Sequence, residues 1–402
     1  MTIIYLILII ISLELLLLIL VQLLKKNFKW IINHEDEFPI TDSEKLNSFL
    51  KKNYSAELGW DRKPGTDGIE INDNNLSTFN ISKKGYRDSK NDYSSSKIAT
   101  FGDSYTFCRY VNDDETWQHY LEKKTQTHVR NFGVGNYGID QAFLKFEKIN
   151  CHNKEIIIFG AVPETITRIH SYWKHYLEFG NIFSFKPKFY ISEKNEVKKI
   201  DNYLLKNQNI SSIKKNINYV KSIDYFYKNK FLNRIFKFPY IFVFIKNFRL
   251  NIEIFYYLML DFFIKIFSHS KYKKKFRNCA IRKVIMQNII EADQYYLSEK
   301  MTLLLEKMIF QYQEIVNSMN KSMIVLIIPQ KYDLLILKQR NYVNFYKKIS
   351  KNVNLLDLTD VFLKHANIDS LYINDNYAGH LSNTGNQLVA EEIYKYIKKG
   401  FF

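Results

Sequence analysis

The sequence predicts an α/β fold built on a five-stranded parallel sheet. Three observations carry that expectation. Short apolar runs recur at Ile98–Phe101, His128–Phe132, Ile156–Phe159, Met323–Ile328 and Val353–Leu356. Helical patterns lie between them, at Glu115–Lys124, Gln141–Lys148 and the long stretch Ile290–Met319. Such alternation marks strands buried on both faces and joined by crossover helices. The first run also leads straight into Gly102-Asp103-Ser104. A serine after a glycine turn then sits at the carboxyl end of a strand, where open α/β sheets present reactive groups.

The amino terminus reads as a membrane anchor. Thr2 to Leu24 is almost entirely Ile and Leu, long enough to cross the hydrocarbon core. Glu14 interrupts it. A mid-bilayer acid costs about 2.5–3.5 kcal/mol on the insertion scale, while each Leu or Ile returns about 0.3–0.6. Eighteen aliphatic residues outweigh one acid, with Glu14 either protonated or paired with another helix. No small-residue cleavage site follows, so the segment is expected to stay as a single-pass anchor. Two orientations remain open. Lys25, Lys26 and Lys29 on the carboxyl-side flank favour a cytoplasmic domain by the positive-inside rule, and the opposite side stays the alternative.

The expected organisation has five parts. Residues 1–24 form the anchor and 25–94 a polar linker and lead-in. Residues 95–180 form the first part of the sheet domain, 181–283 an insertion, and 284–402 the second part of the sheet domain. The lead-in contains a short helix near Ser43–Lys52, then the turn-rich stretches Gly59-Trp-Asp-Arg-Lys-Pro64 and Lys84-Gly-Tyr-Arg-Asp88. These are expected to pack on the domain edge, with a role in substrate binding as the alternative. The insertion breaks the strand–helix rhythm. It opens with a hairpin-like stretch, Lys188–Lys198, and becomes rich in lysine and aromatic residues. Ile252, Phe255, Tyr256, Met259, Phe263, Ile266 and Phe267 share one helical stripe, with Glu253, Asp261 and Lys265 elsewhere. Lys271, Lys273, Lys274, Lys275 and Arg277 follow. Three readings stand: an apolar stripe packed on its own domain, an amphipathic helix on an anionic membrane surface, or a lid or wall of the active site. The last helix, Thr384–Lys398, puts Leu388, Val389, Ile393 and Ile397 on one docking face.

Composition narrows the function. The chain has 402 residues and a net charge of +17, which suits one α/β domain with insertions. The charge reflects either a lysine-rich proteome or attraction to anionic lipid or an acidic glycan. No nucleic-acid-binding motif accompanies it, so nucleic acid is not an expected partner. Cys108, Cys151 and Cys279 are too sparse for a disulfide framework. Cys108 reads as a packing residue. His170 and His175 lack a third ligand, no phosphate-binding glycine loop is visible, and no cofactor or metal is called for.

A hydroxyl nucleophile needs a base to take its proton, and the base needs an orienting acid. Ser104 has candidates near the other end of the chain, where Asp375-Asn-Tyr-Ala-Gly-His380-Leu-Ser precedes the last helix. Taken separately, Ser104 reads as a helix N-cap and His380 as a turn residue. Three blocks in order say more. Phe101-Gly-Asp-Ser104 resembles the first conserved block of the SGNH (GDSL-type) esterase and acyltransferase superfamily. Asn131-Phe-Gly-Val-Gly-Asn-Tyr-Gly138 is similar to its second block, and Gly379-His-Leu-Ser-Asn-Thr-Gly-Asn386 to its last. The resemblance covers about half the chain. It implies a flavodoxin-like three-layer sandwich with Ser104 as nucleophile, His380 as base, and the amides of Ser104 and Gly135 binding the oxyanion.

There are two departures. The third block usually holds an oxyanion-binding asparagine, but this chain reads Phe159-Gly-Ala-Val-Pro-Glu-Thr-Ile166. Losing one such donor costs about 2.7–4 kcal/mol, so Asn136 or Thr165 is the expected replacement. The family's acid lies three residues before the histidine, where this chain has Tyr377. Asp375 is the nearest substitute. The resemblance therefore implies a serine-dependent ester hydrolase or O-acyltransferase. Membrane tethering beside these blocks resembles proteins that work outside the cytoplasm and edit acyl groups on cell-surface polysaccharides. That implies acyl, chiefly acetyl, esters of a cell-surface glycan as substrate and the outer side for the catalytic domain. Expected partners are membrane lipid and an acylated carbohydrate or other ester. The competing reading is a non-catalytic glycan-binding or scaffold protein with a degenerate site.

Overall fold

The structure is a computed structural model that describes residues 2–26, 28–39, 42–72, 75–89, 91, 93, 95–149, 151, 155–202, 210–267, 275–375 and 379–400. Lys271, Lys273, Lys274 and Tyr377 lie outside the described residues. The chain divides into two compact units. One comprises residues 1–46, 171–185 and 204–288, the other residues 47–170, 186–203 and 289–402.

The second unit holds the sheet. Its strands are β1 (Ile98–Gly102), β2 (Val129–Asn131), β3 (Ile156–Ala161), β4 (Ser322–Ile327) and β5 (Leu355–Asp357). All neighbours run parallel, in the spatial order β5-β4-β3-β1-β2. This is the flavodoxin-like order, with its topological switch point between β1 and β3. Every residue of β1 and β3 is buried, which is why these strands read as continuous apolar runs.

Alternate side chains feed two cores. Ile98, Ile156, Ile158, Ile324 and Leu326 face one layer, where Trp117 and Leu121 of the Trp117–Thr125 helix meet Val389, Ile393 and Ile397 of the Asn383–Gly400 helix. Phe101 and Phe159 belong to an aromatic set. Phe101 stacks on Phe132 at 5.0 Å, and Phe143 of the Ile139–Lys148 helix packs edge-on to Phe159 and stacks on Tyr312 at 3.9 Å. Tyr312 lies on the Glu299–Ser318 helix.

Several boundaries differ from the sequence reading. The pattern Ile290–Met319 is two helices, Lys275–Tyr295 and Glu299–Ser318. The break turns Tyr296 inward, where its hydroxyl donates to the Pro163 carbonyl at 2.6 Å. β5 begins at Leu355 because pairing with β4 starts there, opposite Val325. The hairpin-like stretch forms an antiparallel pair, Lys188–Ile191 with Val197–Ile200. A second hairpin, Asp67–Asn72 with Asn75–Asn80, was not expected from the sequence; its apolar residues Ile69, Ile71 and Leu76 are exposed.

The first unit is helical. Thr2–Lys25 is one helix. Among the described residues it is the single helix long and apolar enough to cross a membrane. Its first half is exposed, whereas Leu17, Val21 and Leu24 are buried. Val21 and Leu24 pack in a cluster with Phe236, Leu250, Ile254, Phe255 and Leu258. Leu250 to Leu258 belong to the Phe248–Phe267 helix. The predicted stripe on that helix divides: Phe255 is buried, while Ile252, Tyr256, Phe263 and Ile266 are exposed. The buried face runs instead through Leu250, Ile254, Leu258 and Asp261, with Asp261 paired to Lys265. The helix is apolar on more than one side, so counting periods could not tell which side packs.

Candidate active site

The site lies at the carboxyl end of β1. The strand must end in glycine: a Cβ on Gly102 would lie 2.1 Å from the Gly160 carbonyl oxygen and 2.2 Å from the Thr106 hydroxyl. Asp103 then caps the short helix Ser104–Phe107, its Oδ1 accepting from the Tyr105 amide at 2.9 Å. Its Oδ2 accepts from the Val162 amide at 3.1 Å and faces the Arg168 guanidinium at 3.4 Å. Arg168 also donates to Tyr137 O and to Glu164. One carboxylate thus ties the turn after β1 to the turn after β3.

Ser104, His380 and Asp375 are brought together. Ser104 Oγ lies 2.9 Å from His380 Nε2. His380 Nδ1 lies 2.5 Å from Asp375 Oδ2. The carboxylate is held by two backbone donors, Gly379 N to Oδ1 at 3.0 Å and His380 N to Oδ2 at 3.1 Å. Gly379 has φ +75°, a left-handed conformation that glycine adopts freely. All three residues are largely buried, at 6–7 % exposure, which strengthens each polar contact.

Two tyrosines set the imidazole plane. Tyr105 stacks on it at 5.1 Å and donates its hydroxyl to the Gly379 carbonyl at 2.9 Å. Tyr110 meets it edge-on at 5.4 Å. Burial holds the Tyr105 phenol well above its usual range, so it stays a neutral donor. Tyr110 is placed by Glu70, which accepts from its amide at 3.0 Å and pairs with Arg62 and Arg109. Arg87 anchors the same loop. Its guanidinium pairs with Asp113 at 2.8 Å and donates to the carbonyls of Phe107, Cys108 and Val111. Buried and multiply bonded, Arg87 meets the condition for burying a charge.

The second sequence block runs beside the end of β1, where the Val134 amide donates to Gly102 O at 2.9 Å. Gly135 borders open space. Trp60 holds its peptide, donating from Nε1 to Gly135 O at 3.0 Å, and Tyr137 donates in turn to Trp60 O at 2.6 Å. Asn136 follows with φ +69°. Thr165 is fully buried, and its hydroxyl accepts from the Ile139 amide at 2.9 Å, at the start of the Ile139–Lys148 helix. That contact fits a helix-terminal packing role. Trp60, Glu70, Arg87, Tyr105, Tyr110 and Arg168 support the site although no motif singled them out. A lead-in read as edge packing supplies three of them.

Burial pushes the Cys108 thiol up to about 12, so it is a packed thiol and not a thiolate. Burial also pushes His170 and His175 down to about 4. His170 Nε2 bonds to Met301 O and His175 Nε2 to Asp36 O, as neutral core histidines do. No cluster of three metal-ligand side chains occurs among the described residues.

No family model and no curated protein matches this chain. Among solved structures, it is similar to a "putative lipolytic protein of G-D-S-L family" from Desulfitobacterium hafniense, at 12% identity and a TM-score of 0.32. The match covers 75% of this chain and 99% of that one. Likeness at that level carries no weight for function, so the chemistry rests on the contacts of Ser104, His380 and Asp375.

Proposed function

We propose that the chain is a serine-dependent carboxylic-ester hydrolase or O-acyltransferase that works through an acyl-enzyme on Ser104. The 2.9 Å contact of Ser104 Oγ with His380 Nε2 carries this reading. Ser104 Oγ attacks the ester carbonyl and its proton passes to Nε2. Asp375 keeps Nδ1 protonated and stabilises the imidazolium that forms. The amides of Ser104 and Gly135, with Asn136 beside them, are the donors for the developing oxyanion. The tetrahedral intermediate collapses, the alcohol leaves with the proton from His380, and acyl-Ser104 remains. A water or an acceptor hydroxyl then gives its proton to His380 and attacks the acyl carbon. Water yields the free acid; a sugar hydroxyl yields a new ester. Acyl esters of a cell-surface glycan, acetyl esters among them, are the proposed substrates.

A fluorophosphonate probe tests the nucleophile. The full chain in detergent is expected to gain one phosphonyl group, located on the Ser104 peptide by mass spectrometry. It is also expected to lose aryl-acetate hydrolysis in proportion. A folded protein that hydrolyses the ester without reacting at Ser104 would overturn the assignment.

The Thr2–Lys25 helix is the proposed tether, which would hold the site near membrane-bound substrate. Full-length protein should therefore remain with membranes through an alkaline carbonate wash. Appearance of the intact chain in the soluble fraction would remove the anchor.

A further inference from the structure

The helix Tyr240–Lys246 and the turn before it have an unusual environment. Phe238 is 77 % exposed, Phe242 70 % and Ile245 63 %. Yet the segment is tied down. It packs against the Thr2–Lys25 helix, and Glu14 of that helix caps it. The Glu14 carboxylate accepts from the Tyr240 amide and, at 3.0 Å, from the Ile241 amide. The first amides of a helix have no partner within the helix, so an acid placed there satisfies them and complements the helix dipole.

That contact fixes a depth. Glu14 lies eleven residues before Lys25, about 16 Å along a helix that rises 1.5 Å per residue. This is roughly half of a hydrocarbon core about 30 Å thick. The chain enters and leaves on the carboxyl side of the anchor. Ile235 and Phe236 pair with Ile32 and Asn33, beyond Lys25. At the far end of the short helix, Lys246 Nζ bonds to Asn233 Oδ1 at 2.5 Å and Asn247 Nδ2 to Asn233 O at 3.0 Å. Residues 235–247 therefore go down to the level of Glu14 and come back.

We propose that residues 235–247 form a re-entrant element that dips to about the middle of the bilayer beside the anchor, with Phe238, Phe242 and Ile245 in contact with lipid tails. This rests on the reading of Thr2–Lys25 as a membrane span. Irregular backbone is tolerated at such depth only where protein satisfies its polar groups, and Glu14 does so for the amides at the tip. The same contact accounts for an acid in the middle of an apolar helix. Lys237, beside the tip, has a stem long enough to carry its ammonium toward the headgroups. Phe248, Ile252 and Tyr256, exposed on the next helix, continue the apolar surface. A lipid-tail occupant is favoured over a second protein copy because the patch adjoins the exposed face of the anchor itself.

Depth-dependent quenching tests this. Full-length protein with Cys279→Ser carries a fluorophore at Phe238→Cys, or at Ile10→Cys in the anchor, in vesicles of phosphatidylcholine brominated at different acyl positions. Both labels should be quenched, that at position 238 most strongly by bromines deep in the chain. Quenching at position 10 without quenching at 238 would overturn the re-entrant element and leave the anchor standing, whether position 238 faces water or a second copy. No quenching at either position would remove the anchor and this inference with it. Glu14→Ala should shift the label at 238 toward shallow bromines while position 10 stays quenched. An unchanged depth would overturn the argument from Glu14.

Discussion

Ser104→Ala and His380→Ala are each expected to lower kcat for ester hydrolysis about 10⁴- to 10⁶-fold, with little further loss when combined. Non-additivity is the informative part. Ser104 Oγ and His380 Nε2 share one contact, so either removal ends proton transfer from the nucleophile. Far-ultraviolet circular dichroism should show both variants folded. Steady-state kinetics on an aryl acetate checks the pair. A double variant that loses the product of the two single effects would mean that they act independently. Wild-type activity equal to that of folded Ser104→Ala would favour a binding protein.

Asp375→Asn is expected to lower kcat about 10³- to 10⁴-fold at neutral pH, in line with the effect of the same change in the serine-protease triad. The reason is geometric. Asp375 Oδ2 receives His380 Nδ1 and the His380 amide, and Oδ1 receives the Gly379 amide. An asparagine has one acceptor oxygen. If the oxygen faces Nδ1, its NH₂ group opposes the Gly379 amide. If the NH₂ group faces Nδ1, the imidazole must carry its proton on Nε2 and cannot accept one from Ser104. Kinetics on the aryl ester, with a thermal melt as the control for folding, decides the point. Activity that depends on Ser104 but not on Asp375 would mean a serine–histidine dyad.

The centre of the sheet was legible because its strands are buried on both faces. β1 and β3 contain little but apolar residues between turns, and burial of that kind leaves its record in local sequence. Boundaries were less legible. Val353 looks like strand but precedes the pairing of Leu355 with Val325, and pairing is a property of two segments. The Phe248–Phe267 helix shows the same difficulty, because an apolar residue facing outward and one facing a core look alike in a periodic pattern.

The sequence by itself determined the elements of the sheet, the long apolar amino-terminal helix, and the serine and histidine presented at turns beside the sheet, since each is written in a few contiguous residues. Only the tertiary structure decided that Asp375 faces His380, that Trp60 holds the Gly135 peptide, and that Glu70 and Arg87 fix the loop carrying Tyr110. Only there does Glu14 meet the Tyr240–Lys246 helix. These contacts join residues up to hundreds of positions apart, and each satisfies a buried charge or polar group whose partner is chosen by the path of the chain.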